Sequence, residues 1–268
     1  MKTLIEIIKD HVQYRHQVWQ MAKKDLMKIY KGTALGAVWV VLRPMIMLSV
    51  YWFAFSFGLR SGKPVEGYPY FLWLMAGMIP WFYMRSMIGG GAGSLRKYRF
   101  LITKIKFPLS TIPTFVNISA FCVHIALVCL MVVLYIVFGY MPDWYYLQIP
   151  LYMMMAFVFF NFWALFSSFI AAMSKDFLNF IRSITMAFLW ISGIFYDVNK
   201  MGGRLLKDIM LFNPITIVVN GFRNSLIYKE WFWENPIEMR NYIIVTTIML
   251  ILAVWVYKKL RKEVPDVL

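Results

Sequence analysis

The sequence is short of nearly everything that soluble enzymes use for chemistry. It has two cysteines, Cys122 and Cys129. They lie seven apart in one apolar run, about 10 Å on a helix and beyond the ~7 Å reach of a disulfide, which excludes a disulfide framework. Its three histidines, His11, His16 and His124, are scattered, so no metal-ligand cluster is expected. Acidic residues number 13 against 28 Lys and Arg, and Asp176, Asp197 and the histidines are dispersed. General acid–base work needs such groups paired. There is no G-x-x-x-x-G-K-[ST] phosphate loop, because Gly62-Lys63 is followed by Pro64 with no glycine run before it. If ATP is consumed, another chain must bind it. Residues 1–36 carry seven Lys and Arg and lack an apolar core of signal-peptide length, so the first apolar segment itself is expected to direct insertion.

What the chain does have is apolar surface. Of 268 residues, 61% are hydrophobic, 19% aromatic and only 15% charged, a balance foreign to water-soluble domains. The fold class expected is all-α, a polytopic membrane protein with six transmembrane helices. The first span, Ala37 to Leu59, reads AVWVVLRPMIMLSVYWFAFSFGL. As a helix it covers about 34 Å, enough to cross a ~30 Å hydrocarbon core. Its one charge, Arg43, lies near one end, where it can snorkel to the headgroups, and Pro44 predicts a kink. The other spans are expected at 70–88, 114–139, 151–173, 180–195 and 242–257.

Before the first span, residues 1–36 form an amphipathic arm. Ile5, Ile8, Val12, Trp19, Ala22, Leu26 and Ile29 recur at spacings of 3 and 4, with Lys9, Lys23, Lys24 and Lys28 mostly off that stripe. Such a helix lies in the membrane interface or packs on the protein's own cytoplasmic face, and both contacts are expected here. Glycines 89, 90, 91 and 93 are expected to loosen the end of the second span. The segment 196–241 is too polar for ordinary spans and too apolar for a solvated loop. Its stretch LFNPITIVVNGFRNSLI points to re-entrant external helices.

Charge sets the orientation. With six spans and both termini cytoplasmic, the inner pieces hold 18 cations and the outer ones eight, as the positive-inside rule requires. The formal charge of +15 therefore suits the anionic cytoplasmic leaflet rather than a nucleic acid.

Several short pieces then carry a resemblance. Tyr30-Lys31-Gly32-Thr33-Ala34-Leu35-Gly36-Ala37-Val38-Trp39 with Leu42-Arg43-Pro44 resembles the Y-[RK]-x-[ST]-x-L-G-x-x-W-x-x-L-x-P motif before the first span of ABC-2 type permeases that export polysaccharides. Gly77-Met78-Ile79-Pro80-Trp81, Leu101-Ile102 with Lys104 and Phe107-Pro108, and Asn213-Pro214-Ile215-Thr216 with Arg223 follow in family order. Lys175-Asp176 departs from the expected Arg-Asp, keeping the charge but not the fork geometry.

The resemblance implies a bacterial inner-membrane, multi-pass homodimer joined to two nucleotide-binding ABC ATPase subunits. It would move a polyprenyl-pyrophosphate-linked polysaccharide of the O-antigen, capsule or teichoic-acid type. ATP and Mg would sit on the partner, with no cofactor on this chain and no catalytic residue. Arg96, Lys97, Arg99, Phe100, Lys104 and Phe107, within 94–107, are the ATPase-coupling candidates; the plainer reading is a positive-inside loop. Trp39, Arg43, Tyr51, Trp52, Phe55, Phe195 and Tyr196 are candidates for the substrate path, where aromatic faces suit pyranose rings, unless they are lipid-facing belt residues. Arg43 either attracts the lipid pyrophosphate or only snorkels. Asn213, Pro214 and Arg223 are candidates for an external gate, although helix capping explains the first two as well. An ABC-2 exporter of a drug or small lipid, and a membrane-embedded transferase on lipid-linked sugars, stand as alternatives.

Overall fold

The computed structural model describes residues 2–30, 34–58, 62–105 and 107–268. Lys31, Gly32 and Thr33 of the first motif, Arg60 of the first loop and Lys106 of the coupling segment lie outside them. The fold is 82% helical, without strands among the described residues. In chain order the helices are α1 (Lys2–Gln13), α2 (Arg15–Tyr30), α3 (Trp39–Phe53), α4 (Tyr70–Ser86), α5 (Ser94–Lys97), α6 (Arg99–Thr103), α7 (Thr111–Val137), α8 (Ile149–Met173), α9 (Lys175–Ile191), α10 (Arg204–Met210), α11 (Pro214–Arg223), α12 (Pro236–Leu260) and α13 (Val264–Val267).

The longest helices are α7, α8 and α12, of 27, 25 and 25 residues, and the arm α1–α2 packs on α7 and α12. Four stretches are long and apolar enough to cross a membrane: Gly36–Gly58, Thr111–Val137, Trp144–Met173 and Pro236–Leu260. The expected boundaries shift for local reasons. Ser174 caps α9 by accepting from the Phe177 amide at 3.2 Å, so Lys175 to Asn179 form its first turns rather than a polar loop. Four residues short of the expected end, α9 stops at Ile191, ahead of Gly193 with φ +69°. Pro236 opens α12 six residues early, because a proline in the first turn gives up no intrahelical bond.

The glycine run after α4 does not simply loosen the helix. Met87–Gly91 forms a π-turn, and a Cβ on Gly91 would lie 2.9 Å from Ala164 Cβ, so the glycine lets α4 approach α8. The coupling segment is not one helix either. It breaks at Tyr98 into α5 and α6.

Two hydrophobic cores result. The larger one runs through α4, α7, α8, α9 and α11. A second, at the arm end, joins Ile7, Val18 and Ala22 to Leu101, Phe115, Phe169 and Tyr257. The arm thus docks on the protein itself, through a flank of its apolar stripe. Ile5, Ile8, Val12 and Trp19 face outward, each more than half exposed. Each carboxylate among residues 2–30 bonds to the body: Glu6 to Arg261, Asp10 to Ser110 at 2.8 Å, and Asp25 to Lys97 at 2.6 Å.

Candidate functional site

At the arm end, α5 and α6 fill the connection between α4 and α7, and the coupling candidates divide. Arg96 turns inward. Its Nε donates to the Ala171 carbonyl and its Nη2 to that of Ala172 at 2.8 Å. Those carbonyls belong to the last turn of α8, where intrahelical donors run out and the helix dipole favours a cation. Lys97 is engaged as well, 2.6 Å from Asp25. Asp25 is only 4% exposed and also accepts from the Tyr98 hydroxyl. Burial first, then the bond to Asp25, holds the Tyr98 hydroxyl above the usual tyrosine range, so it remains a proton donor at neutral pH. Lys28 lies over the rings of Tyr98 and Phe100, at 5.5 and 5.9 Å. Phe107 packs edge-on against Tyr14 at 5.8 Å.

What remains outward is Arg99, Phe100 and Lys104, with Ile105 60% exposed beside them. The segment therefore presents two cations and two apolar side chains while Arg96, Lys97 and Phe107 hold it in place. Asp25, Lys28 and Tyr98 were not among the sequence-predicted residues. The usable signal was local charge, since Asp25, set among Lys23, Lys24 and Lys28, invites a partner.

The path candidates do not form one group. Phe195 gathers Tyr51 at 4.9 Å and Phe55, stacked, at 4.9 Å. Trp190, which the sequence reading passed over, joins them 4.9 Å from Phe195. Trp52 packs away from this cluster, on Phe57 and Phe71. Trp39 and Arg43 form a separate cation–π pair at 5.3 Å nearer the arm end. Tyr196 donates to the Ile191 carbonyl at 3.0 Å. The result is an aromatic seam between α3 and the end of α9. Ring faces of this kind offer stacking surface without a fixed hydrogen-bond register.

The gate candidates are brought together by a different logic. At 17 residues, α9 spans about 25 Å, short of a ~30 Å hydrocarbon core. The turn that follows it, Ser192 to Ile194, is buried and would leave its carbonyls unpaired inside the bundle. α11 supplies the donors. Asn213 caps α11 through the Ile215 amide at 3.0 Å and donates its amide to Ser192 Oγ at 2.8 Å. Arg223, 1% exposed, donates to the carbonyls of Gly193 at 2.7 Å and Ile194 at 2.6 Å. Its guanidinium lies 3.5 Å over the Trp73 ring.

Trp73 then donates to the Tyr228 hydroxyl at 2.9 Å, which donates to Asp197 at 2.8 Å. Pro214 starts α11, and nine of its ten residues are buried. Gly77 and Gly221 make room: a Cβ there would lie 2.9 Å from the Arg223 guanidinium and 2.1 Å from the Tyr152 ring. Asn213, Pro214 and Arg223 thus form a strap that completes α9. Arg223 is buried, while Asn213 and Pro214 are half-buried and line a small cavity with Ile88, Phe160 and Trp163.

Apolar helices long enough to cross a membrane, tied at their ends by polar side chains and carrying a basic and apolar face at one end, are the build of an integral membrane protein. The family model for ABC-2 type transporters matches residues 16–227. An O-antigen export system permease protein, RfbA, of Myxococcus xanthus is 22% identical over 265 residues, covering 97% of this chain and 98% of that protein. Two proteins of the same description from Klebsiella pneumoniae are 26% identical over 208 residues (76% of this chain, 77% of that protein) and 23% identical over 254 residues (92% and 93%). The chain belongs to the ABC-2 type transporter family.

Proposed function

We propose that this chain is the membrane half of an ATP-driven exporter that carries a polyprenyl-pyrophosphate-linked polysaccharide, of the O-antigen, capsule or teichoic-acid kind, out across the cytoplasmic membrane. The observation that carries this reading is the match, over nearly the whole of both chains, to an O-antigen export permease. The relatives' description concerns O-antigen, so capsule and teichoic acid rest on the motif resemblance alone.

In this reading the chain crosses the membrane six times, 37–268 forming the spanning domain and 1–36 the interface arm. α4 and α9 join the four stretches long and apolar enough to cross as spans, both termini are cytoplasmic, and α10 with α11 enters from outside and returns. The outward Ile5, Ile8, Val12 and Trp19 rest in the headgroup layer. Membership of an ABC-2 family implies an ATPase partner. Two copies of it bind a homodimer of this chain, hold the ATP and Mg, and seat on Arg99, Phe100 and Lys104. ATP-driven closure moves α5–α6, and the Asp25–Lys97 bond carries that motion into the arm. The aromatic seam of Tyr51, Phe55 and Phe195 lines the glycan's way between subunits.

Removing the gene from its host while feeding radiolabelled sugar tests this reading. Export fits an accumulation of lipid-linked glycan in the inner leaflet and its loss from the surface. Unchanged surface glycan, with a changed sensitivity to drugs, would select the small-molecule exporter instead.

A further inference from the structure

Between α3, α4 and α7 lies a cavity of about 400 Å³, inside the ~300–1,000 Å³ range of small-molecule pockets. At its arm-end mouth stand Arg43, Lys97 and Asp25, and deeper in its wall are Ser119 and His124. Both deeper residues are 1% exposed, yet Ser119 Oγ and the two ring nitrogens of His124 have no hydrogen-bond partner in the protein. Leaving such groups unpaired is costly, and a polar atom of an occupant would remove that cost. No group inside the molecule supplies one.

The charges at the mouth say what the occupant carries. Asp25 neutralises Lys97 at 2.6 Å. Arg43 meets the Trp39 ring and takes part in none of the ion pairs among the described residues. One cation is therefore left over for an anion. Apart from Tyr83 and Ser86, whose hydroxyls are already bonded to Asn117 and to the Tyr83 carbonyl, the rest of the wall, including Val40, Phe82, Val123 and Leu127, is apolar. A glycan does not suit such a wall, because its hydroxyls would be left without partners. A lipid does. The cavity also lies under α3, of which only Leu48 is buried, so a chain can leave along it into the bilayer.

We propose that this cavity takes the phosphate-bearing head of a lipid, with Arg43 on the phosphate at the mouth and Ser119 and His124 bonded to the next polar group inward. The shared chemistry is a lipid phosphate, from a polyprenyl carrier or from a membrane phospholipid. With the carrier as source, the site rests on the export reading and becomes its loading site within a single subunit. With a phospholipid, it stands whether or not that reading holds.

The test uses the permease co-purified with whatever partner it retains, in phosphatidylcholine nanodiscs. Two photoactivatable probes are compared, a polyprenyl pyrophosphate and a phosphatidylglycerol, and cross-linked peptides are mapped by mass spectrometry. Labelling is expected within 82–90 and 116–127, falling about tenfold in Arg43→Gln, the loss of one charge-assisted bond. Ser119→Phe, which fills the cavity, is expected to abolish it. Because Arg43 is exposed, its variant keeps the test decisive if Ser119→Phe does not fold. Labelling by the prenyl probe alone supports the site with the carrier as source; labelling by both supports it with a phospholipid. Labelling spread evenly over the lipid-facing helices, labelling unchanged by Arg43→Gln, or full displacement by millimolar inorganic pyrophosphate would overturn it. Export assays are scored separately, so failure of the site does not count against the export reading.

Discussion

α11 and α3 reverse what their compositions announce. α11 is ten residues long and contains Asn220 and Arg223, and nine of its residues are buried. α3 is fifteen residues of almost unbroken apolar sequence, and Leu48 alone is buried. In a membrane protein, hydropathy does not decide what goes inside. Lipid satisfies an apolar face but offers nothing to a guanidinium or a broken helix end, so the polar helix has to be enclosed by protein. α11 is thereby fixed by what it bonds. α3 is left free to meet lipid, a second copy or a moving substrate.

The largest expected effect falls on α11. Gly221→Val places a Cβ 2.1 Å from the Tyr152 ring, so folded permease should be nearly absent in fluorescence size-exclusion profiles. Adding Tyr152→Ala should restore part of the peak. A normal profile for the single variant would mean that α11 does not pack on α8 as described. Next is Arg223→Leu, which strips the turn after α9 of its guanidinium donors. Melting in detergent should fall by the equivalent of ~3 kcal/mol or more, and Arg223→Lys should recover less than half of it for want of the planar fork.

A smaller change is expected where the arm meets the coupling segment. Asp25→Asn removes the charge that Lys97 and Tyr98 share and should cost about 1–2 kcal/mol. Its readout is faster hydrogen exchange over residues 15–30, with exchange in α11 unchanged. Smallest of all, Val50→Ala and Phe53→Ala on the open face of α3, 57% and 62% exposed, should move stability by less than ~0.5 kcal/mol. If those two destabilise as much as Arg223→Leu, the contrast between the helices fails.

The same contrast explains what could be read ahead of the structure. Long apolar runs locate α3, α7, α8 and α12 because lipid rewards length and hydropathy alone. α11 was visible as something unusual, since Pro214 and Arg223 bracket a stretch too short to cross. Its purpose was not visible, because the carbonyls that Arg223 bonds become unpaired only where α9 ends early at Ile191. Arg96 and Lys97 looked like free cations for the same reason. Their partners, the last turn of α8 and Asp25, lie more than seventy residues away in sequence. Arg99 and Phe100 stay exposed on α6, Phe100 against Lys28 and Tyr98.

A membrane subunit of an ATPase-driven exporter must travel with its ATPase. The decisive measurement is a pull-down of the tagged chain from mild detergent, followed by an ATPase assay of the co-purified material. Stoichiometric recovery of a phosphate-loop ATPase is expected, with turnover stimulated by a polyprenyl-linked glycan and recovery reduced by Phe100→Ala with Arg99→Glu. A chain that purifies alone, with no ATP hydrolysis, would contradict the export reading.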